Sequence, residues 1–82
     1  MNTFRLSNVS LRDVRKVLVQ QGLTKQKMTR GRGGHEKWVK AGMPRPIILQ
    51  THVDPVPEPI VRQIMRHLNL SRKEFANLIQ SQ

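Results

Sequence analysis

Apolar residues first recur at helical spacing near the start of the chain, where Leu11, Val14, Val17 and Leu18 form one face and Arg12, Arg15 and Lys16 the wet one. Ser10-Leu11-Arg12-Asp13 reads as a capping box with Asp at its third position. Val9 and Val14 stand where a hydrophobic staple closes over a helix start. Gly22 follows Gln21 and ends the helix by taking the left-handed conformation. Residues 1–9 are expected to form an N-terminal arm, with Phe4 and Leu6 tucked onto the body.

The pattern then changes period. Leu23 to Arg30 alternates weakly and predicts a strand with few β-branched residues. Arg30-Gly31-Arg32-Gly33-Gly34 must be a turn, because so many glycines cannot hold a helix or a flat ladder. His35 to Lys40 predicts a second strand, and Ala41-Gly42 a turn. Pro44 and Pro46 delay the third strand until Ile47–Thr51. A proline-rich connection, Val53 to Pro59, leads into a helix striped by Ile60, Val61, Ile64, Met65 and Leu68. Asn69 stops that helix. Ser71-Arg72-Lys73-Glu74 is a second capping box, and Phe75, Leu78 and Ile79 face inward from a short last helix. The order α-β-β-β-α-α predicts an α+β domain, a three-stranded antiparallel sheet with helices over one face. All 82 residues read as one domain.

Composition narrows the function. Lys and Arg number 15 against 5 Asp and Glu, a net charge of +10. Such a field attracts polyanions, and nucleic acid is the first expectation. The absence of cysteine excludes disulfides, thiolate zinc sites and a cysteine nucleophile, and fits the cytoplasm. The longest apolar runs, Val17–Val19 and Ile47–Leu49, are far short of a membrane span of about 20 residues. Asp13, Glu36, Asp54, Glu58 and Glu74 are scattered, which argues against a two-metal nuclease. No metal and no cofactor is expected. His35, His52 and His67 show no recognised zinc spacing, and His67 reads as a partly exposed helix residue.

His35 is the candidate for chemistry, because it opens a strand straight after the basic glycine-rich turn. Alternation sets His35, Lys37 and Val39 against Glu36, Trp38 and Lys40. If Trp38 points inward, His35 and Lys37 lie on the open face. If Ile47 and Leu49 also point inward, His52 joins them and Ile48 is left exposed. A histidine beside cations is what metal-free RNA cleavage needs. Imidazole can take the proton of a ribose 2′-hydroxyl or protonate the leaving oxygen, and a cation steadies the phosphate. The RNA-binding set is expected to be Lys25, Lys27, Arg30, Arg32, Gly33, Gly34, Lys37, Lys40 and Arg45, with the glycine amides close to phosphate.

In these respects the chain resembles the HicA toxin family, the ribonuclease halves of HicA–HicB toxin–antitoxin pairs. The resemblance spans roughly residues 10–80. It is carried in order by Val17-Leu18-Val19-Gln20-Gln21-Gly22, Gly33-Gly34-His35-Glu36-Lys37-Trp38, Ile48-Leu49-Gln50-Thr51-His52 and Leu68-Asn69-Leu70-Ser71-Arg72-Lys73-Glu74-Phe75. Gly34 stands where the family commonly has Ser, Glu36 where a second His is frequent, and Gln50 where Pro is expected. The resemblance implies a fold like the double-stranded RNA-binding domain and translation-independent cleavage of mRNA. It places His35 at the catalytic histidine and His52 at the later histidine, and implies a HicB-like protein antitoxin as partner. The competing reading is a double-stranded RNA-binding module or basic adaptor without catalysis, which gives His35 no task. A third reading takes Leu68–Ala76, which resembles the turn of a helix-turn-helix, as a DNA-binding motif; it is disfavoured because the sequence to Gln82 leaves little room for a recognition helix.

Overall fold

The computed structural model describes residues 4–26 and 34–81. Helix α1 spans Leu11–Gln20. It begins where expected: the Ser10 hydroxyl accepts the Asp13 amide at 3.0 Å, and the Asp13 carboxylate accepts the Ser10 amide at 3.3 Å. A further free amide of the first turn, Leu11 N–H, donates to Asp54 Oδ1 at 3.1 Å. Gly22 takes φ +86°, a conformation closed to most side chains, and reverses the chain.

The chain then builds strands β1 (Thr24–Gln26), β2 (His35–Val39) and β3 (Ile47–Gln50), antiparallel in the order β1-β2-β3. The second strand stops at Val39, one residue short of the expectation, because Lys40 is already the acceptor of a turn closed by Met43 N–H at 3.1 Å. The third stops at Gln50. Thr51 keeps one ladder bond, N–H to the Gly34 carbonyl at 2.9 Å, and the chain then bends away.

Helix α2 spans Glu58–Leu68, with Pro59 in its first turn and Asn69 left-handed at its end, φ 57°. Helix α3, Arg72–Gln80, opens with the expected box between Ser71 and Glu74. Among the described residues no helix is long and apolar enough to cross a membrane.

One core joins every layer. Leu11, Val14, Val17 and Leu18 of α1 meet Trp38, Ile47 and Leu49 of the sheet, Val61, Ile64 and Met65 of α2, and Phe75 of α3. Every buried residue among those described is apolar. The described part of the arm is tucked onto the body as expected: Leu6, in one 3-10 turn, and Val9 are buried, and the Phe4 ring meets Phe75 edge-on at 6.2 Å. Two expectations shift. Arg15 and Lys16 do not idle on a wet face, since Arg15 pairs with Glu36 and Lys16 donates to the Ile79 and Ser81 carbonyls at the end of α3. Ile60, placed in the buried stripe by its spacing, is 38% exposed, because it lies one side of the Val61–Ile64–Met65 line.

Candidate active site

The β2–β3 register decides which side chains share a face. His35 lies opposite Gln50, Glu36 opposite Leu49, Lys37 opposite Ile48 and Trp38 opposite Ile47. Trp38, Ile47 and Leu49 carry the apolar surface and turn into the core. A period of two then forces His35, Lys37, Ile48 and Gln50 to the open face. Ile48 is 47% exposed there, the cost of burying both its neighbours.

His52 comes to the same place by a short route. The Gly34–Thr51 hydrogen bond ties the two chains one residue before each histidine. His35 and His52, both exposed, stand with ring centroids 6.3 Å apart and planes at 70°. This edge-on spacing brings two imidazoles within reach of a single bound group. Lys37, two residues along β2, is roughly 7 Å further down the same face. Among the described residues no cluster of three or more His, Asp or Glu is placed to hold a metal ion.

The expected cations are not all gathered with the histidines. Lys27, Arg30, Arg32 and Gly33 lie outside the described residues. Gly34 is the rung beside His35. Lys25 pairs with Trp38 in register, so it sits on the opposite face, its ammonium 3.9 Å from Glu36. Lys40 follows the far end of β2 and lies over Gly22, where a Cβ would meet its Cε at 3.6 Å. Arg45 lies just before β3, at the opposite end of that strand from Gln50.

Glu36, at a position where the resembled family often has histidine, has a structural task. Its carboxylate accepts two hydrogen bonds from Arg15, at 3.1 and 2.9 Å, and one from the Trp38 indole at 3.2 Å. Its side chain is 14% exposed. Burial pushes this carboxyl up. The bonds from Arg15 and Trp38, with the charges of Arg15 and Lys25, outweigh burial and hold it below the ordinary range. The pair bolts the histidine strand to α1. A carboxyl lowered on folding stabilises the fold above its unfolded pKa, about 4.3, and loses that contribution as pH falls through the folded value. Glu36→Gln is therefore expected to cost about 1–2 kcal/mol at pH 7, Arg15 being open enough to rehydrate. It should also flatten the loss of stability below about pH 5. Urea titrations of both proteins across pH check this, and parallel pH curves would refute it.

A groove of ≈ 390 Å³ opens beside the histidine face, between the outer edge of β3 and α2. His35 and Gln50 mark one end, and Arg45 and His67 the other. His67 Nε2–H donates to the Arg45 carbonyl at 3.1 Å. The α2 side of this groove escaped the sequence reading. The signal was there: Ile60, Gln63, Ile64 and His67 recur at three- and four-residue spacing, one face of a helix. Compared with family models, with curated proteins and with solved structures, the chain has no match in any of the three.

Proposed function

We propose that this protein is a metal-independent endoribonuclease that cleaves mRNA, the toxin half of a toxin–antitoxin pair resembling HicA–HicB. In this reading the α-β-β-β-α core is a double-stranded-RNA-binding-domain-like fold turned to cleavage. The observation that carries it is the pairing of His35 with His52 on the open face, centroids 6.3 Å apart. Lys37 shares that face through its register with Ile48.

The chemistry needs two proton movements and one charge. The ribose 2′-oxygen forms a bond to phosphorus as the bond from phosphorus to the 5′-oxygen breaks. One imidazole takes the 2′-hydroxyl proton and an imidazolium gives a proton to the departing 5′-oxygen. Imidazoles suit both tasks because their unperturbed titration falls near neutrality. Lys37 steadies the charge that develops on the phosphate oxygens. The products are a 2′,3′-cyclic phosphate and a free 5′-hydroxyl. A net charge of +10 draws RNA to the site, and the same field suits an acidic antitoxin that covers the face.

The test is incubation of the purified protein with RNA, with and without a strong chelator. Fragments ending in cyclic phosphate and 5′-hydroxyl, formed at the same rate in chelator, are expected. Fragments with 5′-phosphate ends, dependence on an added divalent ion, or intact RNA would each defeat the proposal.

A further inference from the structure

We infer that the groove between β3 and α2 holds one unpaired nucleobase of the RNA strand whose phosphate meets His35, and so selects where that strand is engaged. The inference rests on RNA being the ligand of the histidine face. It makes the protein a reader of single strands at this point, since a base in a duplex must first be unpaired and unstacked before it can fill a side groove, and an unpaired base carries no such cost.

Position comes first. His35 belongs both to the histidine pair and to the groove wall, so a strand held at the pair lies at the groove mouth. Size comes second. A volume of ≈ 390 Å³ is at the small end of sites that enclose a small molecule, roughly 300–1,000 Å³. That scale suits a nucleotide. Chemistry comes third. The walls mix apolar and polar groups, with Ile48 among the apolar ones on the strand side and Ile60 and Ile64 on the helix side. Ile48 and Ile60 are 47% and 38% exposed, an unusual share for isoleucines beside a core that buries Ile47 and Ile64 to 4% each. Exposed isoleucine side chains offer apolar contact to the face of a base.

Polar residues that can read a base edge line the same groove. The Gln50 and Gln63 side chains both border the groove, and each amide offers a donor and an acceptor. His67 donates through Nε2 to a carbonyl, which leaves Nδ1 as an acceptor in the neutral ring. Arg45 at the same end supplies charge for a neighbouring phosphate. Among the described residues no carboxylate lines the groove. This favours an anionic strand over a basic peptide or a second copy of this +10 chain.

The experiment uses the intact protein and a short oligoribonucleotide made uncleavable by 2′-O-methyl groups. Its bases are removed one position at a time and affinity is measured at fixed salt. Loss of one base is expected to weaken binding roughly 5- to 100-fold, the range for one sequestered base, with neighbouring positions nearly silent. In Ile60→Ala and Ile48→Ala proteins, each checked for native unfolding behaviour, that penalty should shrink several-fold. Equal affinity for the whole abasic series overturns the inference. So does a penalty that both variants leave intact, or self-association that both variants abolish, which would give the groove to a second copy. Cleavage plays no part in the readout. A protein that selects a base but cuts nothing would defeat the proposed activity alone, and one that cuts without base selection would defeat the groove alone.

Discussion

His35→Ala is expected to lower RNA cleavage by about 10²–10⁴-fold, the usual share of a general acid–base group, while the protein stays folded. The side chain is exposed, so its removal opens no cavity. The backbone that His35 contributes to the β2–β3 ladder is untouched, and the Gly34–Thr51 rung beside it remains. Affinity for RNA should persist, because phosphate contacts come chiefly from Lys and Arg. His52→Ala is expected to fall in the same direction, because the proposed reaction assigns a proton transfer to each ring. Single-turnover cleavage, paired with RNA binding and thermal unfolding of each variant, separates these effects. Wild-type cleavage by His35→Ala would remove this residue from the chemistry, whatever His52→Ala did.

Phe75→Ala is expected to destabilise the fold by about 3–5 kcal/mol, the cost of emptying a buried aromatic position. Phe75 is completely buried and is the largest side chain that is. It joins α3 to the core, and its edge-on contact with Phe4, 6.2 Å between centroids, holds the N-terminal segment. An aromatic pair of this kind adds about 0.5–1.5 kcal/mol beyond area burial. A chain of 82 residues has roughly 4–12 kcal/mol of stability in total. The substitution therefore removes about a quarter of it at least, and at the low end of stability most or all of it. Phe4→Ala, which truncates a half-buried ring, should cost less. Urea midpoints of the two variants check the ranking, and a Phe75→Ala midpoint near that of the wild type would refute it.

Much of the frame was written locally. Ser10 with Asp13, Gly22, Asn69 and Ser71 with Glu74 each announce a helix end through groups three or four residues apart, and all four mark real ends. Parity was nearly as informative. Once Trp38, Ile47 and Leu49 turn inward, the period of two leaves His35, Lys37 and Ile48 on the other side. The contact of His35 with His52 was readable as the consequence of that condition. What the sequence could not carry were pairings at long separation. Arg15 and Glu36 are 21 residues apart, and nothing in either neighbourhood marks the bond. Lys25 alternates like a surface cation, yet its partner lies on the core side. The groove is a shape made by a strand edge and a helix, so its walls were legible only as two separate stripes.

The contacts of α3 with the opening of the chain bear on how the protein is made. Phe75 stands 71 positions after Phe4, and Lys16 and Gln20 reach the carbonyls of Ile79, Ser81 and Leu78. Both histidines and all the residues lining the groove are already translated by His67, but Phe75 is delivered only with α3. A ribosome-bound chain thus carries both histidines before it has the packing to hold them in register. Closing the chain between Phe4 and Phe75 costs more loop entropy than pairing neighbouring strands, so it is expected to follow sheet formation. Under the proposed activity, this order of assembly would hold a nascent copy inactive until α3 has joined the core.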